Sequence, residues 1–129
     1  MIKVLKIEAG DRPQVVWIDG SLRSLQKAVG GYIQATYPWQ DDVAVICDEE
    51  GKLKGYPLNR VLANADGDIY DILAGTFLIV GLTDNGFGSL SNKLANKYIR
   101  KFREPEFFIP TNDNHLFMMK GNDDAVIIY

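Results

Sequence analysis

Apolar and polar residues alternate over Ile2, Val4, Leu5 and Ile7 and again over residues 15–18, the two-residue period of a half-buried strand. Gly10 and Asp11 supply turn chemistry between the two runs, so the pattern predicts a hairpin. Leu22, Leu25, Val29 and Ile33 then keep helical spacing. An amphipathic helix is expected from residue 21 to about residue 36, N-capped by Ser21 or Asp19 and closed off by Pro38. Gly30 and Gly31 interrupt it. Each glycine in a helix interior costs roughly 0.5–1 kcal/mol relative to alanine, so the pair implies close backbone approach, a ligand, or a helix that ends there.

Residues 43–47 form a short apolar run consistent with a buried strand, and the polar turn from Asp48 to Lys52 followed by residues 53–58 predicts a second hairpin. The stretch 60–63 fits helix or strand, Asp66-Gly67-Asp68 reads as a turn, and residues 69–73 fit a short helix. Residues 76–80 make the strongest strand of the chain, β-branched and aromatic, between Gly75 and Gly81. A loop at 84–88 precedes a second helix capped by Ser89, with Leu90, Leu94, Tyr98 and Phe102 on one face and Pro105 at its end. Apolar patches at 107–109 and 116–119 and a late strand at 126–129 complete the order. Together these elements predict an α+β fold, a mainly antiparallel sheet with two principal helices packed on it.

With 129 residues, 47% of them hydrophobic and 24% charged, the chain suits one globular domain with a single core. A family-like core over residues 1–105 and a C-terminal extension over 106–129 are the expected divisions. The formal net charge of -3 argues against broad phosphate neutralisation of nucleic acid, and the basic stretch from Lys93 to Arg103 reads as a solvated helix face. Cys47 is the one cysteine, which excludes an intramolecular disulfide and fits a reducing cytoplasm. No signal peptide or membrane-spanning run is visible. Exposed tail residues such as Phe107, Phe108, Phe117, Met118 and Met119 predict a homo-oligomer.

Three segments, LQKAVGGYI, EGKLKGYPLNR and GTFLIVG, resemble in order and spacing a family of small phage and mobile-element proteins classed only as a domain of unknown function. The resemblance covers residues 1 to about 105. It implies a phage or mobile-element setting, and hence the cytoplasm of an infected bacterial host, without naming a reaction or catalytic residues.

The polar and glycine positions of these segments give the candidate ligand-binding set: Gln26, Gly30, Gly31, Tyr32, Tyr56, Asn59, Arg60 and Thr76. Tyr56 would stack on a flat ring, Asn59 pair with a base edge and Arg60 grip phosphate bidentately. Core packing, turn formation and a surface ion pair are the bland roles of the same three residues. The glycines would admit a phosphate or ring to the backbone, or else allow tight packing. No metal site or cofactor is expected. Asp48-Glu49-Glu50 and Asp66-Gly67-Asp68 lack a calcium-loop ligand series, and His115 has no zinc partner at ligand spacing. Cys47 falls in an apolar strand.

The leading expectation is a non-enzymatic protein that sequesters a nucleotide-derived immune signal, an ADP-ribose derivative or cyclic nucleotide, to counter host defence. The alternative is an acidic inhibitor of a host defence or nucleic-acid enzyme, drawing on the acids concentrated between Asp41 and Asp71. A metal-dependent nucleotide hydrolase using Asp48 or Asp68 comes third.

Overall fold

The computed structural model describes residues 1–129. Strand β1 (Ile2–Ile7) turns back into β2 (Gln14–Ile18), the antiparallel hairpin expected from alternation, with Leu5 opposite Val15. Helix α1 (Leu22–Val29) follows, and its N-cap is Ser21, whose hydroxyl accepts from the Ser24 N–H at 3.1 Å. The helix ends at the glycine pair instead of running to residue 36. Gly30 adopts φ +94°, a left-handed C-cap, and its N–H returns to the Gln26 carbonyl at 2.8 Å.

Beyond the cap the chain extends as β3 (Ile33–Thr36). Ile33 kept helical register with Val29, yet it packs on the same apolar layer as a strand residue. Glycine in the left-handed region stops the helix, and β-branched Ile33 and Thr36 favour the extended form.

Strands β4 (Val43–Asp48) and β7 (Phe77–Thr83) are buried along their lengths except for the last two residues of β7, as their unbroken apolar runs require. They occupy the centre of an antiparallel sheet ordered β2-β1-β7-β4-β3, and β8 (Gly86–Gly88) adds to β7 through a hairpin. One face of this sheet, with Val4, Ala44, Ile46, Leu78 and Val80, is covered by Leu25 and Val29 of α1.

The other face, with Leu5, Ile7, Val43, Val45, Phe77 and Ile79, meets α2 (Asn92–Lys101) and the hairpin of β5 (Leu58–Ala63) and β6 (Ile69–Ala74). Helix α2 begins at Ser91, two residues after the expected cap, because the Ser91 hydroxyl accepts from the Leu94 N–H while Ser89 Oγ accepts from the Lys3 N–H.

The expected second hairpin, 43–47 with 53–58, does not form. Residues 51–55 are turn, and β5 pairs with β6, so residues 60–63 and 69–73 are both strand. The tail folds into a separate antiparallel sheet of β9 (Glu106–Pro110), β10 (Leu116–Lys120) and β11 (Val126–Ile127). It attaches to β5 through Glu106, whose Oε1 accepts from the Val61 N–H at 2.8 Å. No helix is long and apolar enough to cross a membrane.

Candidate functional site

The candidate residues separate into an internal junction and an open cleft. Tyr56 stands at the junction. A Cβ on Gly75, itself at φ +81°, would lie 2.6 Å from Tyr56 Cδ2, and one on Gly30 would lie 2.9 Å from the Tyr56 hydroxyl. The tyrosine therefore fills the space that two glycines vacate, joining the end of α1 to the β6–β7 turn. Close packing of a side chain, rather than ligand approach, explains Gly30.

Asn59 and Arg60 lie inside the protein, both fully buried. Asn59 Nδ2 donates to the carbonyls of Ile7 at 2.9 Å and Gly75 at 2.8 Å. The Arg60 guanidinium donates to Asn59 Oδ1 at 2.8 Å, to the Asp11 carbonyl at 2.6 Å and to the Phe102 carbonyl at 3.0 Å. Phe102 caps the C-terminus of α2, where the helix dipole favours a cation. Burial pulls the Arg60 pKa down, while Glu106 and Asp11 oppose that shift. The expected phosphate grip is thus corrected: Arg60 is an internal tie among β5, α2 and the β1–β2 loop, and Asn59 is its partner. Sequence placed Arg60 at a strand end, but β5 begins at Leu58 and sends the side chain inward.

Gln26, Gly31 and Tyr32 do come together, lining a cleft of about 270 Å³ with Asp48, Glu49, Glu50 and Lys54. Asp48 Oδ2 accepts from Lys54 Nζ at 2.7 Å, and its Oδ1 accepts from the Glu50 N–H at 2.9 Å. Burial opposes ionisation of Asp48, but these two bonds prevail and hold its carboxyl below the usual range. A Cβ at Gly31 would collide with Lys54 Nζ and Asp48 Oδ2, so this glycine accommodates the ion pair. Three carboxylates beside the negative end of α1 make the cleft unfavourable for phosphate. Thr76 is half-buried just before β7 and lines neither this cleft nor the one described next.

A second cleft, of about 620 Å³, lies between the β3–β4 connection, the β5–β6 turn and α2. Tyr37, Pro38, Trp39, Gln40, Asn64 and Lys101 contribute to its wall. Trp39 is anchored by Tyr98 and Phe102, at ring-centroid distances of 4.6 and 5.9 Å, and Lys101 Nζ lies 5.6 Å from its ring centre. Tyr37 is exposed. Asn64 Oδ1 accepts from the Asp66 and Asp68 N–H groups at 3.0 Å each, and the NH2 of this exposed residue donates to no group of the chain. None of these residues belonged to the expected site. The signal that could have found them is Tyr37-Pro38-Trp39, an aromatic pair around a rigid proline in a connection, together with a lysine at the end of the second helix.

The acids of the middle segment are partly neutralised: Asp41 pairs with Lys97 at 2.6 Å, Asp48 with Lys54 at 2.7 Å and Asp71 with Lys52 at 2.6 Å. No three His, Cys, Asp or Glu side chains gather where they could hold a metal ion. Burial raises the Cys47 thiol pKa, and the neighbouring Asp71 and Asp48 add to the rise, which disfavours the nucleophilic thiolate.

A mainly antiparallel sheet with helices packed on it defines an α+β protein. The family described as Domain of unknown function (DUF3846) matches residues 2–103, and the chain belongs to that family. No curated protein matches the chain. No solved structure matches it.

Proposed function

We propose that the protein binds a nucleotide-derived small molecule without transforming it, in the cleft walled by Tyr37, Trp39 and Lys101. The observation behind this reading is the meeting of two aromatic rings and a lysine in a cleft of about 620 Å³. Aromatic faces stack on bases with little regard to sequence, worth roughly 1–3 kcal/mol per base, and an ammonium is a point-charge partner for phosphate. Gln40 and the free NH2 of Asn64 offer amide groups to a base edge. In the phage or mobile-element setting implied by the sequence resemblance, an abundant binder lowers the free concentration of a host immune signal by mass action alone. Incubation with ADP-ribose or a cyclic nucleotide, followed by heat denaturation of the protein, tests this. Recovery of intact ligand fits sequestration, and a shortened product contradicts it.

The α1 cleft supports a second reading, an acidic inhibitor of a host protein. Glu49 and Glu50 are exposed beside the α1 C-terminus and are without ion-pair partners. A stoichiometric host protein retained from lysate and lost on Glu49→Lys, with no thermal shift from nucleotides, would favour this reading over the first.

A further inference from the structure

We propose that the cleft where the tail sheet meets β5 and the β1–β2 turn binds a small primary amine with an apolar body, its ammonium held by the Glu106 carboxylate. The inference stands apart from the nucleotide reading, because none of the residues of this cleft lines the Tyr37–Trp39 cleft.

Side chains alternate along a strand, so Glu106, Phe108 and Pro110 fall on one face of β9. All three line a cleft of about 520 Å³, together with Leu116, the cross-strand partner of Pro110. Pro57 and Leu58, where β5 begins, line it from the body of the protein. Small-molecule sites are typically clefts of about 300–1,000 Å³, mostly apolar, with a few placed polar groups that fix orientation. Here Glu106 is the one charged residue of the lining.

The state of Glu106 selects the ligand. The residue is only 4% exposed, and its Oε1 accepts from the Val61 N–H at 2.8 Å. Its Oε2 accepts no hydrogen bond from the chain, yet it is not sealed away from solvent. Lys120, its neighbour across the β9–β10 pair, and Arg60 on β5 are the cations that act on this carboxyl. Neither forms an ion pair with it, and neither lines the cleft.

A buried carboxylate is costly unless it is paired and hydrogen-bonded. One oxygen of Glu106 is satisfied and the other is not, at the wall of an otherwise apolar cleft. The complement is a group that brings positive charge and N–H donors on an apolar remainder. An aromatic remainder matches Phe108 through ring contact. Burial also raises the Glu106 pKa, against the lowering effects of the Val61 N–H, Lys120 and Arg60. An ammonium at Oε2 would favour the charged form again, whereas an anionic ligand would meet repulsion.

An NMR titration of the full chain that follows the Val61 amide tests the proposal. It is run at about pH 8, between the ordinary pKa values of a carboxyl and an alkylamine. Phenethylamine is the probe, with phenethyl alcohol as its neutral analogue and hydrocinnamate as its anionic one. The expected result is a saturable shift with phenethylamine, bound about tenfold more tightly than the alcohol, and with hydrocinnamate the weakest of the three. Glu106→Gln keeps an oxygen acceptor for the Val61 N–H but removes the charge, and it should abolish the preference for the amine. Equal affinity for amine and alcohol in the wild-type chain overturns the proposal. So does tightest binding of hydrocinnamate, an amine preference that survives Glu106→Gln, or the absence of any saturable shift with phenethylamine.

Discussion

Arg60 Nη1 donates to Asn59 Oδ1 at 2.8 Å in the interior, so two adjacent residues of β5 are joined to one another while reaching four other residues of the chain. Asn59 holds the carbonyls of Ile7 and Gly75, and Arg60 holds those of Asp11 and Phe102. Arg60→Ala would strand buried acceptors that each cost about 1–3 kcal/mol when unpaired, and the expected loss of stability is about 3 kcal/mol or more. Arg60→Lys retains the charge but not the fork, and should lose about 2 kcal/mol. Urea denaturation measures both. Two variants as stable as wild type would show that the internal tie contributes little.

Tyr56 and Gly75 should be energetically coupled. Gly75→Ala adds a Cβ against the tyrosine ring at a residue with φ +81°, and crowding and backbone strain together should cost about 3 kcal/mol. Tyr56→Ala removes the crowding but not the strain. The double variant should therefore be more stable than the sum of the single losses by at least about 1 kcal/mol. Additive losses in a double-mutant cycle would contradict the packing account.

Gly31→Val should push Lys54 off Asp48 and destabilise the protein by roughly 1–3 kcal/mol, because its Cβ enters the space of that ion pair. The same variant should bind AMP at the distant Trp39 cleft with unchanged affinity once folded. An affinity change there would mean that the two regions communicate.

Acid should destabilise the fold through carboxylates whose pKa is lowered. Hydrogen bonds from the Ser21 side chain and backbone take Asp19 from 3.8 to about 2. Lys97 and Tyr98 lower Asp41, and Asp48 is lowered against its burial by Lys54 and Glu50. A depressed folded-state pKa adds stability above the unfolded value that is lost as pH falls through the folded one. The thermal midpoint should accordingly drop between about pH 4 and pH 2. Glu106 has the opposite sign: burial raises its pKa, so its contribution weakens as pH rises above 4.5. Glu106→Gln should remove that second, higher-pH slope in a midpoint-against-pH series, and an unchanged slope would contradict the assignment.

Periodicity made the first hairpin, both central strands and the second helix legible, since each has a long apolar pattern of one period. It failed at Ile33, where a helical interval from Val29 bridges a left-handed glycine into a strand. It also failed at residues 53–58, where turn geometry sends the chain past β4 to pair β5 with β6. Of the candidate site, Gln26, Gly31 and Tyr32 share a cleft as adjacent segments of one helix end. Arg60 was misread because an arginine at a strand boundary gives no sequence sign of its burial, which depends on carbonyls 42 and 49 residues away. The Trp39 cleft joins three segments distant in sequence, and only the fold assembles it.

The binding reading is tested most directly by Trp39 fluorescence in full-length protein carrying Trp17→Phe, which leaves Trp39 as the only tryptophan. AMP, ADP-ribose and cyclic AMP are titrated in turn, with adenosine as the phosphate-free control. The account predicts saturable quenching by at least one phosphorylated probe, with tenfold weaker binding, about 1.4 kcal/mol, on Lys101→Gln or Tyr37→Ala in equally folded proteins. It also predicts that adenosine binds more weakly than AMP. Absence of saturable quenching by all three phosphorylated probes, or equal affinity in wild type and both variants, would contradict it.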